Sequence, residues 1–393
     1  MCKIINTVLL LIQIGQEVTG LNGNSPVEKD VPLTINSPKQ SLILLSLLAR
    51  RSNYSKVENC MATIKDVAKL AGVAVSTASY ALNNKSRVNA ETAKRVLEAA
   101  KTLNYQKNGI ARDLKRSKTE TIGIIVQDLS GPFYSELMRG VQDTLLTHKY
   151  GLIACSSIGG NVTTASKFLQ ERRVDGVIIL AESLPDELIL QSVRDDFPII
   201  VLDRKLESDS IIHVLVDNFS GGYQAAKHLI DLGHNKLAYI GGPSYNRDNQ
   251  LRFEGYKQAL KDFNLPLHPS WILQGQYTRE GGYSAAKIIM MQGNEPSAVF
   301  CANDEMAVGA IKAFKESGLK IPEDLSIIGF DDIEITQYIS PPLTTVKQSN
   351  YEIGSLAAHL IYQALNEGIE GKEYILPTEL VLRKSTSAVK NRE

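Results

Sequence analysis

Cysteine is scarce in this chain of 393 residues: Cys2, Cys60, Cys155 and Cys301 stand far apart and form no Cys-x-x-Cys pair. That spacing excludes a disulfide-stapled secreted fold and a thiolate zinc site, and it fits free thiols in a reducing cytoplasm. The six histidines include no His-Glu-x-x-His and no ligand-like cluster, so no metal is expected. No Gly-x-Gly-x-x-Gly follows a strand-like run, and no Gly-x-x-x-x-Gly-Lys phosphate loop is present. Gly159-Gly160 and Gly241-Gly242-Pro243 read as turn glycines. With no nucleophile–base pairing either, an enzyme is not expected, nor a cofactor. Long apolar runs are also missing. Val8–Ile12 and Leu42–Leu48 are far too short to span a bilayer, and Gln13 breaks the first with no small-residue cleavage site behind it.

Net charge is absent too, with 43 basic and 43 acidic residues, but the zero hides an uneven distribution. Between Met61 and Lys118 twelve basic residues face four acidic ones, so that block carries +8. Residues 1–60 carry +2 and the remainder −10. A small basic block ahead of a larger acidic body suggests a polyanion-binding head on a body of other function. Met61-Ala62-Thr63 reads as a natural start, so residues 1–60 are expected to be an upstream, disordered extension.

Within the basic block, Thr63 is placed to cap a helix whose apolar residues Ile64, Val67, Ala68 and Ala71 recur at helical spacing, and Gly72 ends it. A second short helix begins near Val75 or Ser76 and stops at Asn83-Asn84. Two short helices around a glycine-containing turn make a helix-turn-helix. A third helix, capped by Asn89, carries Val96, Leu97, Ala100 and Leu103 as its apolar stripe, against which Ala68, Val73, Ala78 and Leu82 close a small core. The second helix then projects into a major groove about 12 Å wide. Its residues Val75, Ser76, Ser79 and Tyr80 face base edges, while Lys85, Arg87, Lys94 and Lys101 meet phosphates.

The run Thr63-Ile64-x-Asp66-Val67-Ala68-x-x-Ala71-Gly72-Val73-x-x-Ser76-Thr77-x-Ser79 resembles the signature of the LacI/GalR family of repressors, and Leu103-Asn104-Tyr105 with Ala111-Arg112-x-Leu114 is similar to its hinge. The resemblance implies a hinge that folds into a helix only on operator DNA and wedges a leucine, here Leu114, into the minor groove between Arg112, Lys115 and Arg116. The expected DNA contacts are Thr63, Val75, Ser76, Thr77, Ser79, Tyr80, Asn83, Arg87, Asn108, Ala111 and Leu114. Tyr80 stands where the family usually has Arg, and Lys107 where it usually has Pro, so an operator half-site other than the commonest is expected.

From Thr121 onward, β-like apolar runs alternate with helix-like segments: Ile122–Val126, Leu152–Cys155, Gly176–Leu180, Ile199–Leu202, Leu237–Ile240, Ala298–Cys301 and Ile327–Phe330. Near-continuous runs of this kind are buried parallel strands. The expected fold is an α/β core of two doubly wound parallel-sheet subdomains behind an all-α helix-turn-helix headpiece. Its boundaries are 61–107 for the headpiece, 108–120 for the hinge, and 121–393 for the core. The core divides into an N-subdomain of about 121–217 plus 349–376 and a C-subdomain of about 218–348 plus 377–393. Ligands bind such sheets at the carboxyl ends of the strands. Asp128, Asp203, Asn303-Asp304 and Asp331-Asp332 follow strands there, and Arg252 is placed at the start of a helix. Asp304 and Asp332 read equally as ligand contacts or helix caps.

Asp217-Asn218, Gly233-His234, Ala302-Asn303-Asp304 with Gly309, Gly329-Phe330-Asp331-Asp332 and Pro342-Leu343-Thr344-Thr345-Val346 also resemble family landmarks, so the likeness covers about 330 residues in all. By position it implies effector contacts at Arg252, Asn303 and Asp331, with Phe133 and Tyr134 on the opposite wall. Asn246 and Asp248 occupy positions that vary with the effector, and Tyr277 completes the set with Asp128 and Asp203. Their polarity favours a sugar or phosphosugar over a purine. The expected partners are operator DNA, that effector and a second copy of the chain, with no membrane. A solute-binding protein without regulatory DNA binding would share the core but not the basic headpiece.

Overall fold

A computed structural model describes residues 62–83, 88–106, 118–158, 163–171, 173–202, 204–293, 296–368 and 370–389. The expected extension over residues 1–60 lies outside them. The chain divides into two units, Met1–Asn108 and Gly109–Glu393.

Three helices build the first unit: α1 (Ile64–Ala71), α2 (Val75–Leu82) and α3 (Ala90–Thr102). Thr63 starts α1, its N–H and hydroxyl donating to the Asp66 carboxylate at 2.8 and 2.7 Å. Gly72 ends it at φ 64°, and the Val73 N–H reaches back to the Ala68 carbonyl at 3.0 Å. Asn89 caps α3 by accepting from the Thr92 N–H at 2.8 Å. The core consists of Val67, Ala68, Ala71, Ala78, Ala81, Val96, Ala99 and Ala100. Leu97, expected in the apolar stripe, is instead 51% exposed, and Ala99 takes its place. The reason is angular: Val96, Ala99, Ala100 and Leu103 lie on one face, and Leu97 is about 100° off it.

The second unit holds two six-stranded sheets. Its elements run β1 (Thr121–Val126), α4 (Pro132–Thr147), β2 (Gly151–Ser156), α5 (Thr163–Gln170), β3 (Gly176–Leu180), α6 (Asp186–Leu190), β4 (Ile199–Val201), β5 (Ile211–Val216) and α7 (Asn218–Asp231). They continue with β6 (Leu237–Gly241), α8 (Arg247–Asp262), β7 (Ile272–Gln274), α9 (Arg279–Met291), β8 (Ala298–Cys301), α10 (Asp304–Glu316), β9 (Ser326–Asp331), β10 (Thr344–Lys347), α11 (Asn350–Glu367), β11 (Glu373–Leu376) and β12 (Glu379–Val381). The first sheet has the order β11-β5-β4-β3-β1-β2 and is parallel throughout. The second, β12-β10-β9-β8-β6-β7, is parallel except for β12, which runs antiparallel to β10 at the edge.

All seven expected strands are present, and five more join them: β5, β7, β10, β11 and β12. β5 is an apolar run interrupted by His213, which is buried and accepts the Leu206 N–H on Nε2 at 3.0 Å. The others are three or four residues long and each contains a polar residue, which leaves little periodicity to read. No helix among the described residues is long and apolar enough to cross a membrane.

Paired glycines bring the sheet-covering helices close together. A Cβ on Gly222 of α7 would overlap the Arg252 carbonyl of α8, and one on Gly255 of α8 would overlap the Phe219 carbonyl of α7. The seam is therefore backbone against backbone, and it fixes the depth at which α8 carries Arg252.

Candidate functional site

The first unit presents α2 as its reading face. Val75 and Tyr80 are 44% and 37% exposed, Ser76 and Asn83 are exposed, and Thr77 and Ser79 are half-buried. The Asn83 amide donates to the Ser79 carbonyl at 2.9 Å, and the exposed Thr63 is held by Asp66. α2 has Ala74 before it, no side-chain cap and no acidic residue in its first turn. Its N-terminal N–H groups are therefore suited to a phosphate. Lys65, Lys69, Lys94, Arg95 and Lys101 are exposed on α1 and α3. Arg87, Asn108, Ala111 and Leu114 lie outside the described residues, as do Lys85, Lys107, Arg112, Lys115 and Arg116.

In the second unit a cavity of about 890 Å³ opens where the carboxyl ends of both sheets meet. Each sheet reverses its strand order there, beside β1 and β3 in one and β6 and β8 in the other, the position where doubly wound sheets bind ligands. Asp128, Phe133 and Tyr134 line the wall from the first sheet. Asn246, Asp248, Arg252, Tyr277, Asn303 and Asp331 line the wall from the second. Every described effector candidate is thus in one cavity; Asp203 lies outside the described residues.

Arg252 is the hub of that cavity. Buried to 4% exposure, it donates from Nε to the Asn218 side-chain oxygen at 2.7 Å and from Nη1 to the Ala302 carbonyl at 2.6 Å. The Asp331 carboxylate lies 3.5 Å from Nη1, and the guanidinium sits 3.8 Å from the centre of the Phe330 ring. Asp331 also accepts from Gln348 at 2.6 Å, and Asn218 passes its own amide hydrogen to Asp248 at 2.8 Å. Burial pushes the Asp331 carboxyl up to about 6, against the pull of Arg252 and the Gln348 hydrogen bond. Asp331 and Asp332 hold consecutive positive φ values of 114° and 57°, a backbone geometry that turns the first side chain into the cavity and the second onto Arg383 at 2.6 Å.

Other candidates have structural partners as well. Asn246 caps α8 by accepting from the Asn249 N–H at 2.8 Å, and it also accepts from the Tyr277 hydroxyl at 2.9 Å. Asn303 caps α10 through the Met306 N–H and donates to the Tyr277 carbonyl at 3.2 Å. Phe133 and Tyr134 meet edge to face, their ring centres 5.3 Å apart.

Two expectations need correction. Arg252 is not at a helix start: Asn246 caps α8 at Arg247, which leaves Arg252 in the second turn, facing the sheet. Asp304 and Asp332 neither cap helices nor line the cavity. Asp304 is fully buried, accepting from Thr345 Oγ1 at 2.6 Å and the Ile333 N–H at 3.0 Å, whereas Asp332 pairs with Arg383.

The sequence reasoning missed Glu182, Ser183, Gln127, Tyr245, Gln276, Arg279, Glu280 and Glu305 on the cavity wall. Glu182 stands two residues past β3, so the strand-end rule would have found it. Its carboxylate crosses the cleft, accepting from the Asn246 amide at 2.9 Å and the Arg247 N–H at 3.3 Å. Among the described residues no group of three His, Cys, Asp or Glu side chains is placed to hold a metal ion.

Asp248 supplies a pH-dependent test. Desolvation pushes its carboxyl from the ordinary 3.8 up to about 6, with Arg252 pulling down and Glu182 pushing up. A proton thus binds the folded state more tightly than the unfolded one, so this group favours folding at acidic pH and loses that advantage as pH rises through about 6. Asp248→Asn keeps an acceptor for Asn218 and removes the half-buried charge. The variant is expected to be more stable than the parent by about 1 kcal/mol near neutral pH, the gap closing as pH falls below about 6 toward 3.8. Thermal melts across that range check it, and a pH-independent gap would show that the carboxyl is not elevated.

Comparison with known proteins gives consistent matches. The family model described as bacterial regulatory proteins, lacI family, matches residues 63–108, and a periplasmic binding protein-like domain matches residues 226–386. A protein of Histophilus somni named HTH-type transcriptional repressor PurR is 38% identical over 336 residues, covering 84% of this chain and 100% of the relative. A PurR repressor of Pasteurella multocida is also 38% identical, over 333 residues that cover 84% of this chain and 99% of the relative. Among solved structures, the lac repressor dimer bound to operator and the anti-inducer ONPF is similar with a TM-score of 0.69 and 28% identity, covering 83% of this chain and 99% of that one. A LacI family regulator from Enterococcus faecium with bound ribose has a TM-score of 0.62 and 33% identity, covering 69% of this chain and 100% of that one.

Proposed function

Since the chain belongs to the lacI family of bacterial regulatory proteins, it is a transcriptional repressor and not an enzyme, and we propose that it grips a pseudo-palindromic operator as a homodimer under the control of a sugar bound in its cleft. The observation that carries the sugar reading is the Arg252 network. Asn218, Asp248 and Asp331 surround one guanidinium at the carboxyl ends of two sheets. Adjacent hydroxyl groups both donate and accept, so they suit a wall that offers carboxylates, amides and a guanidinium together. Phe133, Tyr134 and Tyr277 supply apolar faces for the ring carbons. Structural neighbours with ribose and with cellobiose support the same reading. A purine base offers fewer donors for so many acidic acceptors.

The homodimer is supported by exposed apolar side chains beside the edge strand of each sheet. Ile153 on β2 is 46% exposed, Leu146 before it and Ile158 after it are 61% and 56% exposed, and Ile288 and Met291 on α9, which packs beside β7, are 48% and 86% exposed. A second copy would cover these edges. The dimer's two-fold axis would match an operator with two half-sites, placed in the cytoplasm with the DNA. Sugar in the cleft and DNA on the headpieces then change each other's affinity by the same factor. Calorimetric titration of the full chain with sugars and purine bases, repeated with operator DNA, tests the reading. Sugar binding that alters operator affinity is expected; binding of a purine base alone would refute it.

Base readout by α2 has its own test. Tyr80→Arg is expected to shift the preferred half-site toward guanine at one position, with about 1–3 kcal/mol of discrimination. Selection of binding sites from random DNA measures it, and an unchanged selected sequence would remove Tyr80 from the reading face.

A further inference from the structure

The cleft's charges are one-sided. Among the described residues that line it, Asp128, Glu182, Asp248, Glu280, Glu305 and Asp331 are acidic, and the bases are Arg252 and Arg279, with no Lys or His. Both guanidinium groups are already committed. Arg279 forms a fork on Glu305, Nε to Oε2 at 2.6 Å and Nη2 to Oε1 at 2.9 Å. Arg252 is held by Asn218, the Ala302 carbonyl and Asp331. Asp128, Glu182, Asp248 and Glu280 have no ion pair among the described residues.

A phosphate ester needs a free guanidinium, an ammonium or an open helix N-terminus. The N-termini facing the cleft are mostly taken. Asn246 caps α8 while Glu182 accepts its first N–H, Thr278 caps α9 through the Gly281 N–H, and Asn303 caps α10. At α4 there is no side-chain cap, but Pro132 removes an N–H from the first turn, and the acidic Asp128 lies in the loop leading into it. From this arrangement we propose that the cleft selects unphosphorylated sugars and rejects their phosphate esters. The proposal rests on the sugar reading above and narrows it. A dianion placed here would face six carboxylates against two guanidinium groups whose hydrogen bonds are already made, whereas a neutral polyol can donate to those carboxylates. The sensed compound thus stands before phosphoryl transfer: a sugar kinase reaction would consume it, and glycoside hydrolysis or import without phosphorylation would supply it.

The test uses the full-length protein in calorimetric titrations with D-ribose, D-glucose and cellobiose, with ribose and glucose phosphates, and with adenine. A neutral sugar is expected to bind at least about a hundredfold more tightly than its own phosphate. A phosphate that binds as tightly as the parent sugar overturns the charge selection and leaves the sugar reading standing. Adenine binding while every sugar fails overturns both. Glu305→Gln gives a second arm by releasing the Arg279 fork into the cleft. In that variant the ratio of phosphate to neutral-sugar dissociation constants is expected to shrink about tenfold. An unchanged ratio, in a variant that melts like the parent, would show that neutralisation of Arg279 does not set the selectivity.

Discussion

Arg252→Ala is expected to abolish the effect of the sugar on operator binding and to destabilise the α/β unit by about 3–5 kcal/mol. The two losses share one cause. The guanidinium is almost fully buried and is the cation beside Asp331, whose burial already works against ionisation. Its removal strands that carboxylate, leaves the Ala302 carbonyl and the Asn218 side-chain oxygen without their donor, and opens a hole above Phe330. Stranded buried acceptors cost more than the net value of the bonds they lose. Asn218 also orients Asp248, so the defect spreads along the cavity wall.

Arg252→Lys separates charge from geometry: it restores a cation for Asp331 but lacks the fork that holds Asn218 and Ala302 together. That variant should recover part of the stability and little of the sugar response. Melting curves with sugar titrations at a temperature where each variant is folded give both readings. Operator binding without sugar should survive in both variants, because the reading face lies in the other unit. A full sugar response in a folded Arg252→Ala protein would remove Arg252 from the effector site.

How much of this was legible in the sequence depends on how far each residue's role is decided locally. Thr63, Gly72 and Asn89 announced the ends of their helices because caps and left-handed glycines act within a few residues. The seven long apolar runs announced their strands for the same reason. Short β10 exists because β9 and β12 pair with it on either side, and β12 because β10 does, and nothing within Thr344–Lys347 or Glu379–Val381 advertises those partners. The nine described effector candidates were proposed because strand ends and family positions pointed to them, and the fold gathers them along one cavity. Glu305 was missed because its importance comes from a partner across space, Arg279, whereas Glu182 was legible as a strand-end residue although its contact with Asn246 was not. Asp304 shows the converse: its position at a strand end suggested a ligand contact, yet Thr345 and the Ile333 N–H hold it inside the fold.

The headpiece carries the other large expected effect. Ala78→Leu is expected to weaken operator binding more than about a hundredfold while leaving sugar binding unchanged, because overpacking a tight core costs about 1–3 kcal/mol. Ala78 is fully buried between α1 and α3, in a core whose other members are five alanines and two valines. No long side chain in that set has a freely adjustable end, so the added carbons can be housed only if helices move apart. A three-helix unit this small has little stability in reserve. A cost of that size would leave a large share of the headpieces unfolded, and a dimeric operator complex needs both. Helical circular dichroism and a gel shift on the full-length variant measure the two consequences, and calorimetry with sugar tests whether the α/β unit stays intact. Ser76→Ala, an exposed change on the same helix, serves as the control and should reduce affinity without loss of helix. If Ala78→Leu kept parental operator affinity, the alanine core would not be what holds α2 in position to read DNA.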